Sequence, residues 1–376
     1  MDSFYIKSRI FTGKKALSQL AEYSGCRVAV VTDGFMVSSG MLDQVLAHIG
    51  ECESTVFSGV KPDPTVEVVV EGVGVIAPLR PEVVLAVGGG STLDTAKAIM
   101  VSLREMPGFE RMELVAVPTT SGTGSEVTEF AVISDAAKGI KFPLRSEDLL
   151  PDVAILAPEL VKSVPPKITA DTGMDVITHC IEAYVSLYAN DFADALVEKA
   201  LTLACKWLPV AYADGADSEA REKLHNASCM AGMAFNEAGL GLNHGIAHAV
   251  GATMHIPHGR INAMLLPLVI EYNAGLVDGV LYNEDIADRY AALTGILGGA
   301  KSPARRGAQS LALMVRRLNH KLGIPATMEE SGADLVKYGN AISSMARAAL
   351  DDITTTCNPR IPDFEDVEGL LRCLER

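Results

Sequence analysis

The chain has 376 residues, with 47 acidic and 32 basic side chains and a formal charge of −15. That balance excludes nucleic-acid binding, since phosphate backbones are held by clustered cations and no basic run here exceeds two residues. At 48% apolar and 21% charged the chain is too hydrophobic for disorder, and no stretch approaches the roughly 18 uninterrupted apolar residues of a membrane span.

The first residues carry Asp2, Lys7 and Arg9 where a signal peptide needs an apolar run, which predicts a cytoplasmic protein. Seven cysteines, odd in number, widely spread and without a C-x-x-C pair, read as reduced and mostly buried thiols. A chain of this length exceeds one hydrophobic core, so two domains are expected.

From residue 4 to about 156, short β-branched runs alternate with helical patterns. The runs are 27–32, 54–57, 83–87, 114–117 and 153–156, and the amphipathic stretches are 15–24, 37–49, 65–78 and 92–104. Near-continuous Val, Ile and Ala in the runs predicts a doubly wound α/β domain with a parallel sheet covered on both faces. After the breaker pair Pro165 and Pro166 the pattern changes to three- and four-residue apolar spacing over 169–187, 191–206, 218–236, 243–253, 259–274 and 307–321. The expectation is an α/β domain over 1–163 and an all-helical domain over 164–376.

In the first half, the run 83–87 leads directly into Gly88-Gly89-Gly90-Ser91 and then a helix. Glycines that open a helix bring bare N–H groups and the positive helix end to one point, which suits a pyrophosphate. A second polar glycine loop, from Pro118 to Glu126 (PTTSGTGSE), follows the next strand. Two such loops at the carboxyl ends of neighbouring strands predict a dinucleotide site. Asp33 ends a third strand; a carboxylate there accepts from ribose hydroxyls and repels a 2′-phosphate, favouring NAD over NADP. The fingerprint match Gly72-x-Gly74-x-x-Ala77 follows a helical pattern rather than a strand and is set aside as chance.

Eight histidines spread evenly would put about two in any 80 residues, yet residues 179–258 hold six. Asp175 and His179 stand at i, i+4, one face of a helix, and His244 and His248 repeat that spacing. His255 and His258 flank Pro257, where the chain can turn back. Taken singly these residues have plain readings: His225 caps or covers a helix, His48 and His320 lie on the surface, His255 lines a loop. Taken together, Asp175, His179 and two of the later histidines can converge on a cation. Neutral imidazoles with one carboxylate suit Fe, Zn, Ni or Co alike, and the lack of nearby Cys argues against a structural zinc.

In combination, GGGS with a following Asp94, TTSGTGSE, GMDxxTHxIEAYVS, and NHGIAH with a PHG turn resemble the iron-containing (group III) alcohol dehydrogenases over essentially the whole chain. PDPT (62–65), HNAS (225–228), AGMAF (231–235) and NPR (358–360) look most like the propanol dehydrogenase branch associated with bacterial microcompartments.

The resemblance implies a dehydroquinate synthase-like fold, in which an NAD-binding α/β domain and an all-helical metal-binding domain flank a cleft. It implies Asp175, His179, His244 and His258 as ligands of one divalent ion, Fe(II) before Zn(II), with His248 a catalytic non-ligand that relays protons or contacts substrate. The cofactor contacts implied for NAD(H) are Asp33, Gly89, Gly90, Ser91, Asp94, Thr119, Thr120, Thr123 and Lys141. Phe130, Phe235 and Thr354 fall where relatives line the substrate pocket, and two aromatic rings there favour an apolar alcohol or aldehyde over a polyol. A homodimer or larger homo-oligomer is implied, with microcompartment association in view; the N-terminus leaves little room for a targeting helix, so entry would need another contact.

Two other functions compete with this one. One is an NAD- and metal-using lyase or cyclase of the related sugar-phosphate enzymes, disfavoured because residues 171–258 hold only Lys199, Lys206, Arg221 and Lys223 to grip a phosphorylated acid. The other is a non-catalytic binding subunit, which would take neither NADH nor metal.

Overall fold

A computed structural model describes residues 4–109, 112–135, 140–277 and 279–376, leaving aside the side chains of 140–142. The chain divides into two compact units: Met1–Val164 with Ala216–Gly232, and Pro165–Gly215 with Met233–Arg376. The stretch 216–232, expected in the helical half, therefore belongs with the first unit. Its helical periodicity is genuine, but periodicity does not say which core a helix joins.

The first unit is built on β1 (Arg9–Thr12), β2 (Arg27–Asp33), β3 (Glu53–Val60), β4 (Val83–Gly88), β5 (Glu113–Pro118) and β8 (Val153–Leu156), all parallel, in the order β1-β8-β5-β4-β2-β3. Strand residues alternate between two cores, because successive side chains point to opposite faces. Ala29, Val31, Val84, Ala86, Leu114 and Ala116 pack with Val69 and Ile76 of α3 (Val66–Ile76) and with Leu93, Ile99 and Met100 of α4 (Gly90–Arg104). Val28, Val30, Leu85, Val87, Val115 and Val117 face the other way, towards Leu17 and Leu20 and towards Leu42 and Val45.

Three features of this unit depart from the sequence pattern. Residues 16–23 are a 3-10 helix, and the expected 37–49 segment splits into α1 (Gly34–Ser38) and α2 (Met41–Leu46) at Gly40, whose φ is 73°. An antiparallel hairpin, β6 (Phe130–Asp135) with β7 (Ile140–Arg145), was not anticipated. Both glycines of the rejected fingerprint lie within α3, where a Cβ at Gly72 would meet the Ile99 side chain at 2.3 Å.

The second unit is helical: α5 (Pro166–Val185), α6 (Asp191–Ala213), the end of α7 (Ser218–Ala238), α8 (Leu242–Met254), α9 (His258–Ala274), α10 (Glu284–Ile296), α11 (Ala304–Lys321), α12 (Leu335–Leu350) and α13 (Phe364–Glu375). Helices α10, α12 and α13 were not predicted. No described helix is long and apolar enough to cross a membrane.

Candidate metal centre and glycine loops

Helix α5 carries Asp175, His179 and Glu182 at i, i+4 and i+7, one face, and all three are buried. Helix α8 carries His244 and His248 one turn apart. It ends at His255, whose left-handed φ of 57° turns the chain so that Pro257 can start α9 with His258 as its first residue. Gly259 lets α9 approach α5: a Cβ there would lie 2.2 Å from the Asp171 carbonyl oxygen. Arg260 then locks the approach with two bonds to the Asp171 carboxylate, at 3.0 and 2.7 Å.

These constraints bring the side chains together. Asp175 Oδ1 is 3.7 Å from His244 Nε2 and 3.5 Å from His258 Nε2, and Asp175 Oδ2 is 4.0 Å from His179 Nε2. The His179 and His244 rings stack at 4.8 Å, and the His248 and His258 rings at 5.1 Å. Phe235 covers His179 at 4.5 Å between ring centroids.

The donor set fits a divalent ion. Ligands about 2.1 Å from a tetrahedral centre stand roughly 3.4 Å apart, close to the spacing of these donor atoms. The Asn262 amide nitrogen makes the same point, lying 2.7 Å from Asp175 Oδ1, 3.1 Å from His244 Nε2 and 3.0 Å from His258 Nε2. Two N–H groups thus face three acceptor positions, a surplus of lone pairs that a cation would absorb.

The local electrostatics agree. Burial works against an ionised Asp175, yet His179, His258 and His244 hold its carboxyl well below the usual range. Burial pushes His258 down to about 3, with Asp175 opposing and the other imidazoles adding to the effect. His244 is also desolvated, but the Glu182 and Asp175 carboxylates raise it to about 9.

His248 differs from its neighbours in where its second nitrogen goes: Nδ1 is 2.8 Å from Asp352 Oδ2. The other Asp352 oxygen accepts from the backbone N–H and hydroxyl of Thr354, at 2.9 and 2.7 Å. Gly245 allows this, because a Cβ there would strike Thr355 Oγ1 at 2.1 Å.

In the first unit the two glycine loops stand side by side at the carboxyl ends of β4 and β5. Thr119 N donates to the Gly88 carbonyl at 2.9 Å, and a Cβ on Gly90 would lie 2.7 Å from Thr123 Cγ2. Gly89 caps α4, Ser91 lies in its first turn, and Gly89 faces Thr120. Asp33 ends β2, next to β4 in the sheet, and its Oδ1 accepts from Phe35 N and Met36 N. The chain passes from β2 to β3 on one side and on to β4 on the other, so Asp33 and the GGGS loop straddle a topological switch point.

Asp94 follows the GGGS turn on α4; its Oδ1 accepts from Ser125 Oγ at 2.7 Å and its Oδ2 from Val132 N at 3.0 Å, so it also ties the second loop down. Phe130 begins β6, with the Arg145 guanidinium over its ring at 5.1 Å. Lys141 is on β7, and its side chain lies outside the described residues.

Four residues escaped the sequence reading, and a fifth, His225, has a partner that reading did not name. Glu182 holds His244 Nδ1, and Asn262 faces the donors. Asp352 orients His248. Lys97 is fully buried and donates to the carbonyls of Thr128 at 2.8 Å and Phe130 at 2.7 Å. His225, expected to cap or cover a helix, is buried with Nδ1 2.9 Å from Ser121 Oγ in the second glycine loop. Of these, only Glu182 carried a visible signal, its i+7 spacing from Asp175.

Two family profiles match the chain: iron-containing alcohol dehydrogenase over residues 7–158, and the C-terminal part of the Fe-containing alcohol dehydrogenase family over residues 169–374. The chain belongs to the iron-containing alcohol dehydrogenase family. It is an oxidoreductase acting on alcohols and aldehydes, which sets aside the lyase and the non-catalytic subunit. Membership implies a metal and a nicotinamide dinucleotide, and the parallel sheet with a helical C-terminal part is the dehydroquinate synthase-like fold.

Among relatives, the 1-propanol dehydrogenase PduQ of Salmonella typhimurium is 44% identical, with 99% of each chain covered. The NADPH-dependent butanol dehydrogenase of Clostridium saccharobutylicum is 36% identical over 100% of this chain and 98% of its own. The solved alcohol dehydrogenase from Oenococcus oeni superposes with a TM-score of 0.91 at 30% identity, covering all of both chains.

Proposed function

We propose that this family member is a metal-dependent, NAD(H)-linked enzyme interconverting small primary alcohols of propanol size with their aldehydes. The observation that carries the reading is the gathering of one carboxylate and three imidazoles from α5, α8 and α9. Asp175, His179, His244 and His258 hold the ion, Fe(II) first and Zn(II) second.

When bound, the ion supplies Lewis-acid stabilisation of charge on the substrate oxygen, and the dinucleotide supplies or accepts the hydride. His248 handles the proton: with Nδ1 tied to Asp352, Nε2 is the atom that gives a proton in aldehyde reduction and takes one in alcohol oxidation. Phe235 and Thr354 in the second unit and Phe130 in the first are the residues we assign to substrate contact, and the two rings favour a short apolar chain. Gly89, Gly90, Ser91, Thr119, Thr120 and Thr123 receive the phosphates and Asp33 the ribose, with Lys141 assisting; Asp94 and Lys97 act through the loops they hold. The first unit is thus the dinucleotide-binding domain and the second the metal-binding, catalytic one.

The likeness to the propanol dehydrogenase branch supports a homo-oligomer associated with a microcompartment. The test is the purified protein loaded anaerobically with Fe(II) and followed at the NADH absorbance band with C2 to C4 aldehydes and 1,2-diols. The expected result is fastest NADH consumption with propanal-sized aldehydes; no turnover with any of them sinks the reading.

A further inference from the structure

Glu182 is buried one turn beyond His179 on α5, and its two carboxylate oxygens serve two consecutive residues of α8. Oε1 accepts from the backbone N–H of Asn243 at 2.7 Å, and Oε2 meets Nδ1 of His244. Gly241 makes this approach feasible, since a Cβ there would fall 2.8 Å from Glu182 Oε1. The carboxylate therefore sits at the first turn of α8, where the helix end favours an anion.

The two bonds differ in kind. A backbone N–H is always a donor, whereas an imidazole has two neutral tautomers and takes the one its partner selects. With only acceptor oxygens on offer, His244 must carry its hydrogen on Nδ1. That leaves Nε2, which faces Asp175 and His258, as the nitrogen whose lone pair an ion would take. We propose that Glu182 is a positioning residue that sets the His244 tautomer and so makes the donor set competent for a divalent ion. This rests on the metal reading above and adds to it a residue that touches neither ion nor substrate.

The geometry makes Glu182→Gln an incisive substitution. Gln has the same shape but one acceptor oxygen, and the fixed Asn243 N–H claims it. The amide NH2 then faces His244 Nδ1, moving the ring hydrogen to Nε2, into the ligand position. Glu182→Asp keeps both acceptors on a shorter arm.

The experiment strips the protein with a chelator and titrates Co(II), reading the d–d absorption band and the dissociation constant. NADH binding, followed by nicotinamide fluorescence in the same samples, checks that the first unit is intact. Glu182→Gln is expected to weaken Co(II) binding roughly 10- to 100-fold and to alter the band, with NADH binding unchanged and Glu182→Asp intermediate. Wild-type affinity and band in Glu182→Gln, or an Asp variant no better than Gln, overturns the proposal. A wild-type chain that takes no Co(II) overturns the metal reading itself, and this inference with it. If Glu182→Gln does not fold, the Asp variant against wild type decides.

Discussion

His248 Nδ1 stands 2.8 Å from Asp352 Oδ2, while the other oxygen of Asp352 is held by the backbone N–H and hydroxyl of Thr354. The aspartate is thus fixed before it orients the imidazole. In Asp352→Asn the amide oxygen goes to the Thr354 N–H, which cannot change role, and the NH2 turns to His248 Nδ1. The ring hydrogen then moves to Nε2, so the ring can no longer accept the alcohol proton there. A kcat for alcohol oxidation lower by roughly a hundredfold, with stoichiometric metal and unchanged NADH affinity, is expected from steady-state kinetics and metal analysis. Wild-type turnover would show that the pair is structural.

His258 and His248 stack on one another yet should fail in different ways. His258 Nε2 faces Asp175 Oδ1 at 3.5 Å, so His258→Ala should lose metal and activity together. His248→Ala should lose turnover and keep its metal. Thermal melts separate the two independently: an ion at a hundred times its dissociation constant adds about 2.7 kcal/mol of stability. His248→Ala should show that metal-dependent shift and His258→Ala should not. A metal-replete, active His258→Ala removes this residue from the ligand set.

Much of this centre is legible in sequence because helices write their faces at fixed spacing. Asp175 with His179, and His244 with His248, announce themselves at i, i+4. The partners that differentiate them do not. Asp352 lies 104 residues beyond His248, in a loop brought near by the absence of a side chain at Gly245. No periodicity encodes that meeting. The hairpin β6–β7 escaped for a related reason: Pro143 inside β7 reads as a strand breaker, and it is tolerated because β7 is the edge strand of this two-stranded sheet, paired with β6 alone among the described residues. Residues 218–236 read as helix correctly, but which core the first part of that helix joins is decided by contacts such as Gly124 against Gly232, where a Cβ would come within 2.6 Å.

Asp33 gives a test of cofactor choice that does not disturb the fold. Its Oδ1 caps α1 through Phe35 N and Met36 N. Asparagine caps a helix as well as aspartate does, so Asp33→Asn removes the charge and keeps the turn. If the carboxylate repels a 2′-phosphate, kcat/KM with NADPH should rise about tenfold or more relative to NADH. An unchanged ratio would mean that Asp33 only shapes the loop and that selection lies elsewhere.

The buried ring of His225, paired with Ser121, predicts a particular acid sensitivity. Burial pushes His225 down to about 4 from an ordinary 6.5, against an opposing effect of the Pro118 carbonyl. Between these values the unfolded chain binds a proton that the folded chain refuses, so stability falls as pH falls through that window and is fully present above it. From pH 7 to pH 5 the loss attributable to this ring is about 2 kcal/mol. His225→Gln keeps polar atoms opposite Ser121 but cannot titrate. Urea unfolding of both proteins at the two pH values should therefore show the variant less destabilised by acid than wild type, by about that amount. Equal losses in the two proteins would mean that the ring gains its proton in the folded state as readily as in the unfolded one. In that case the Ser121 contact would be too open to solvent to hold the glycine loop in place.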